Sequence, residues 1–129
     1  MKTMTTMKKI LLIDDEVALT KMLKRNLEGT ERFAVQEVND GLQAFAVARN
    51  FRPDLIILDV MMPGIDGGEV AAQLALDDAT KDIPIVFLTA IVSREDVPAA
   101  GGTIGGRLFL AKPVRFADLL ACIDSHLME

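Results

Sequence analysis

Acids, a hydroxyl and an amine stand at the ends of four apolar runs in this 129-residue chain. Ile10-Leu11-Leu12-Ile13 stops at Asp14 and Asp15, and Leu55-Ile56-Ile57-Leu58 stops at Asp59. Ile85-Val86-Phe87-Leu88 stops at Thr89, and Leu108-Phe109-Leu110-Ala111 stops at Lys112, with Pro113 next. Open parallel α/β sheets put their reactive sites outside the carboxyl ends of the strands. If the four runs are parallel neighbours, three carboxylates, one hydroxyl and one ammonium converge on one pocket. That set suits phosphoryl chemistry. Asp is a known nucleophile toward phosphorus. Mg²⁺ takes oxygen ligands, usually a carboxylate or two together with phosphate. Lysine binds phosphate as a point charge.

Each residue also has an ordinary structural explanation. An Asp after a buried strand commonly caps the next turn. Asp14 and Asp15, with Glu16 behind them, could cap the following helix. Thr89 could satisfy its own strand end, and Lys112 could be a solvated surface lysine. Capping alone, however, leaves Asp14, Asp15 and Asp59 crowded together. Crowded carboxylates repel and their pKa values rise unless a cation sits among them.

The elements that must position these groups alternate along the chain. Lys8–Asp14, Phe33–Val38, Asp54–Asp59, Ile83–Thr89 and Arg107–Ala111 read as strands. Glu16–Glu28 reads as a helix, with Val17, Leu19, Met22, Leu23 and Leu27 apolar at helical spacing. Gly41–Asn50, Glu69–Leu76 and Arg115–Met128 read as three more helices. The slot Ser93–Gly106 predicts a short, frayed fourth helix and a flexible loop, because it holds Pro98, Gly101, Gly102, Gly105 and Gly106. Five βα units with continuous apolar strands imply a parallel sheet covered on both faces.

Bulk properties narrow the function further. The length fits one domain, with residues 1–6 expected as a loose leader and 7–129 as the folded unit. Half of the residues are hydrophobic, with six Phe and no Trp or Tyr, so the core must be aliphatic. A net charge of −5 argues against non-specific nucleic-acid binding and against anionic membrane surfaces. No apolar run approaches the roughly 18 residues of a membrane span. The run after Lys8 and Lys9 is shorter than the roughly 7–15 residues of a secretory signal. The single cysteine, Cys122, excludes an internal disulfide and fits a reducing, cytoplasmic setting.

Taken together, Ile13-Asp14-Asp15-Glu16, Asn39-Asp40-Gly41, the run from Pro53 to Gly64, Asp66-Gly67, Leu88-Thr89-Ala90 and Lys112-Pro113 resemble the receiver domain of two-component response regulators. The resemblance covers Lys8 to about Leu127. It implies a flavodoxin-like, doubly wound, five-stranded parallel sheet in the order 2-1-3-4-5 with five helices. It implies that Asp59 is the phospho-acceptor and that Asp15, Asp59 and the Met61 backbone carbonyl bind Mg²⁺, with Asp14 reaching the metal largely through water. It implies that Thr89 and Lys112 contact the phosphoryl group, that Ala90 leaves room for it, and that the Lys112–Pro113 peptide is cis. Phe109 matches the family's switch aromatic, where Tyr is more usual; a core Phe is the alternative. The glycine-rich 101–106 stretch departs from the family pattern.

The expected function is that of a signalling module rather than an enzyme acting on an outside substrate. A sensor histidine kinase or histidine phosphotransfer protein would supply the phosphoryl group, and an unidentified downstream protein would read the result. A phosphate sink or scaffold without dedicated output is the alternative. A metal-dependent phosphatase with an Asp nucleophile fits less well, because the first strand ends in adjacent Asp14-Asp15 rather than D-x-D. A flavin-binding domain of the same topology would need a Ser/Thr/Gly-rich loop where Asp14-Asp15-Glu16 stands.

Overall fold

A computed structural model describes residues 7–90, 102–104 and 107–127, the side chains of 102–104 and 107 excepted. The strands are β1 (Lys8–Ile13), β2 (Phe33–Val38), β3 (Leu55–Asp59), β4 (Ile85–Thr89), β5 (Gly102–Ile104) and β6 (Arg107–Ala111). The helices are α1 (Val17–Gly29), α2 (Ala44–Phe51), α3 (Gly67–Ala75) and α4 (Phe116–Leu127), with a 3₁₀ turn at Gly41–Gln43 before α2. The sheet order is β2-β1-β3-β4-β6-β5. Five strands are parallel and give the expected 2-1-3-4-5 arrangement, β6 being the fifth of them.

Alternation along the strands sorts side chains into two layers. Ile10, Leu12, Ile57, Leu88 and Leu110 face α1 and α4, where they meet Leu23, Leu27, Leu119 and Ile123. Leu11, Ile13, Ile56, Leu58 and Phe87 face α2 and α3, where they meet Ala44, Ala48, Val70 and Leu74. Both faces of the central strands are dry, which explains why β3 is apolar at every position before Asp59. Among the described residues no helix is long and apolar enough to cross a membrane.

Four details differ from the sequence reading. Part of the Ser93–Gly106 slot is strand: Gly102–Ile104 pairs antiparallel with β6, bonding through its backbone without any need for a side-chain pattern. The rest of that expected helix and loop, residues 93–101 and 105–106, lies outside the described residues, as does the expected leader, 1–6. Helix α3 starts at Gly67, not Glu69. Asp66 accepts the Glu69 N–H at 2.8 Å while Glu69 Oε1 accepts the Asp66 N–H, a reciprocal cap that outweighs two poor helix formers at the first positions. The second helix opens as a 3₁₀ turn because the Asp40 carboxylate accepts the Leu42 N–H. Strand four begins at Ile85; Pro84 precedes it and gives only its carbonyl, to the Ile56 N–H.

Candidate functional site

Register brings the chemistry together. Ile13 lies beside Leu58, Asp59 beside Leu88, and Thr89 beside Ala111. The strands therefore end at nearly the same level. The backbone ladder runs just past those ends: the Asp14 N–H bonds Val38 O, the Val60 N–H bonds Leu88 O, and the Lys112 N–H bonds Thr89 O at 2.9 Å. Asp14, Asp59, Thr89 and Lys112 are fixed by sheet, not by loop.

The pocket at this end has a volume of about 310 Å³ and is lined by Asp15, Glu16, Asp59, Met61, Thr89, Ala90 and Lys112. Asp59, at 5 % exposure, and buried Thr89 line its floor, and Asp14, at 2 %, is buried in that floor against Lys112 without lining the pocket itself. Asp15, Glu16, Met61 and Ala90 are exposed around its rim. Lys112 Nζ reaches Glu16 Oε1 at 2.6 Å, Asp14 Oδ2 at 2.9 Å and Asp59 Oδ1 at 3.5 Å. Asp14 Oδ2 receives no well-aligned hydrogen bond, so its pairing with Lys112 is through charge. The Lys112–Pro113 peptide is cis.

Burial first, and the charge of Asp14 second, raise the Asp59 pKa to about 6 despite Lys112 and the Met61 N–H, which work the other way. Burial works against the charge of Lys112, but its hydrogen bond to Glu16 and its close pairing with the charges of Asp14 and Asp59 hold its pKa above the ordinary lysine value.

Oxygen atoms of Asp14, Asp15 and Asp59 lie within 4.8 Å of one another. All-oxygen donors at this spacing, around a carboxyl whose pKa is already raised, fit a hard divalent cation such as Mg²⁺.

Support behind the floor comes from residues whose part the sequence did not disclose. Asn39 Nδ2 donates to Asp14 O at 2.8 Å and to Thr20 Oγ1 at 2.9 Å, tying the end of β1 to α1 and to the strand beside it. Gly67 lets α3 start directly under Asp59: a Cβ there would lie 2.4 Å from Asp59 O. Capping the helix was one role open to Glu16 in the sequence. Its side chain caps nothing and turns to Lys112, 96 residues away. Asn39-Asp40-Gly41 and Asp66-Gly67 were visible as motifs, but only the packing gives their tasks. Phe109 is half-buried on the α2/α3 side of β6 and stacks on Phe87, ring centroids 5.0 Å apart.

Residues 10–124 match the model of the response regulator receiver domain. The chain belongs to that family. It is 38 % identical over 121 residues to the DNA-binding dual master transcriptional regulator RpaA of Synechocystis, covering 94 % of this chain and 49 % of RpaA. It is 38 % identical over 123 residues to the DNA-binding response regulator MtrA of Mycobacterium tuberculosis, covering 95 % of this chain and 52 % of MtrA. The chain thus spans about half the length of these curated relatives. The chemotaxis response regulator CheY4 of Vibrio cholerae superposes with a TM-score of 0.80 at 32 % identity, covering 95 % of this chain and all of CheY4. The receiver domain is a signalling domain of two-component systems, and its acidic pocket is the one assembled here by β1, β3, β4 and β6.

Proposed function

We propose that this receiver domain accepts a phosphoryl group on Asp59 from a histidine kinase or histidine phosphotransfer protein and then presents an altered surface to a partner protein. The observation that carries this reading is Asp59 itself: a carboxylate on the last residue of a buried central strand, beside Asp14 and within 3.5 Å of the Lys112 ammonium. Even with its pKa raised to about 6 it is mostly ionised at pH 7, so it is available as a nucleophile. A carboxylate oxygen attacks phosphorus; the bond from phosphorus to the donor's imidazole nitrogen breaks as the bond to Asp59 forms. The imidazole leaves with the electron pair and takes a proton. Attack by water later returns the free carboxylate and phosphate, so turnover is a property of the domain itself.

Asp15, Asp59 and the Met61 carbonyl would hold Mg²⁺, with Asp14 acting largely through water. The cation would offset the repulsion between Asp59 and an incoming phosphoryl group. Thr89 and Lys112 would contact the phosphoryl oxygens through a hydroxyl and an ammonium. Movement of Thr89 toward that group would leave room that Phe109, on the neighbouring strand, can enter. Phe lacks the hydroxyl of Tyr, so its inward position would rest on packing alone. The acidic balance of the chain, −5, favours protein as the direct partner of the switched surface over nucleic acid.

Incubation with a small phosphodonor and Mg²⁺, followed by intact mass, tests the reading. One phosphoryl group should be added to the wild-type protein, and none when Mg²⁺ is chelated. Asp59→Asn should take up none; undiminished labelling of that variant would overturn the assignment.

A further inference from the structure

Glu16 is the pocket acid with no part in the reading above. Its backbone N–H donates to Asp14 Oδ1 at 2.9 Å, which fixes where the residue starts. Its carboxylate then turns over the pocket mouth and takes the shortest of the three acid contacts to Lys112: 2.6 Å, against 2.9 Å for Asp14 and 3.5 Å for Asp59. The two side chains of this pair differ sharply in solvation. Lys112 is 14 % exposed and Glu16 59 % exposed.

That asymmetry decides which partner Lys112 can give up. An ammonium has three protons to donate. Asp14 is buried, and losing its cation would leave an uncompensated charge in a dry place, which is costly. Glu16 stands in water, and releasing it exchanges one ion pair for hydration at little cost. A phosphoryl oxygen arriving on Asp59 needs a donor from Lys112, and the Glu16 carboxylate occupies the solvent-side one.

We infer that Glu16 is a positioning residue that holds Lys112 in its phosphoryl-free place and competes with the phosphoryl group for it, so that Glu16 sets how readily the pocket charges. This rests on the reading of Asp59 as acceptor and deepens it. Glu16 touches neither Asp59 nor the incoming group; it acts through Lys112. The exchange is a swap of one anion for another on a single ammonium, with no other bond made or broken.

The test is a double-mutant cycle of Glu16→Gln and Lys112→Ala at saturating Mg²⁺. Two quantities are measured in all four proteins: the affinity for beryllofluoride, an unreactive phosphoryl mimic, and the rate of labelling by a small phosphodonor. Glu16→Gln keeps the shape and removes the charge at an exposed position, and its melting temperature verifies folding. It should tighten beryllofluoride binding and speed labelling by about three- to tenfold. In the Lys112→Ala background the same change should have an effect within about twofold. The inference is overturned if Glu16→Gln alone stays within about twofold or weakens binding. It is also overturned if the gain persists in full without Lys112, because Glu16 would then act only by repelling an anionic donor. Wild-type protein that takes up neither phosphoryl group nor mimic would remove the acceptor reading itself; wild-type labelling with no Glu16 effect would remove only this inference.

Discussion

The floor and the rim of the pocket carry the same kind of charge and hold it differently. Asp14 and Asp59 stand at strand ends and are buried, Asp59 opening only onto the pocket, with Asn39 and Gly67 supporting the backbone behind them. Asp15 and Glu16 are one and two residues past the end of the ladder and stand in solvent. On the floor, burial first and the poorly screened charge of Asp14 second raise the pKa of Asp59. On the rim, water absorbs the repulsion. The difference teaches that the floor stores electrostatic stress for a cation and a phosphoryl group to relieve, while the rim supplies groups that can change partners cheaply.

The largest expected effects come from dividing the acids by their contact with metal. If Asp14 reaches the metal through water, as proposed, Asp14→Ala, which also removes the partner of Lys112, should lower Mg²⁺ affinity about 10–100-fold. Asp15→Ala should lose more, because its carboxylate is the one turned out and unclaimed by Lys112 among the described contacts. Isothermal titration of both variants checks the order, and a greater loss for Asp14 would reverse the assignment. Next, the floor can be disturbed from behind. Gly67→Ala forces a Cβ to within 2.4 Å of Asp59 O, so backbone must shift, at a cost of about 1–3 kcal/mol in denaturant unfolding. Gly68→Ala, whose nearest neighbour is the Asp66 carboxylate at 3.2 Å, should cost much less.

The stress itself has a pH signature in metal-free protein. The folded Asp59 pKa, about 6, lies above the ordinary value of 3.8. Below pH 6 the folded state takes up a proton that the unfolded chain does not, so this group makes the fold more stable as pH falls. Between pH 7.5 and 5 the gain should be about 1 kcal/mol. Asp59→Asn should abolish that gain and be the more stable protein at pH 7.5; a wild-type profile parallel to that of the Asn variant would contradict the stress. The smallest effect is expected far from the pocket, where Arg32 pairs with Asp124 at the surface. Asp124→Asn should cost about 0.2–1 kcal/mol, and less in high salt, because both partners are solvated.

The floor was legible in sequence because burial on both sheet faces makes each strand apolar up to the residue that leaves the core. Asp14, Asp59, Thr89 and Lys112 mark those exits. The rim was half legible. Asp15 stood out beside Asp14, but the task of Glu16 depends on a lysine 96 residues away, and local pattern reports only its place before a helix. Strand β5 was invisible for a related reason: three residues, Gly102-Thr103-Ile104, are too few to show a period, and backbone pairing with β6 asks nothing of their side chains. The α3 start was misplaced because two glycines speak against a helix, and the cap from Asp66 outweighs them.

Reduction of the phosphorylated protein tests the central claim most directly. Borohydride converts an aspartyl phosphate to homoserine and leaves free carboxylates alone, so the acceptor is written into the peptide mass. After treatment with a phosphodonor and Mg²⁺, homoserine should appear at position 59 and nowhere else. Homoserine at position 14 or 15, or labelled protein that yields none at 59, would contradict the account.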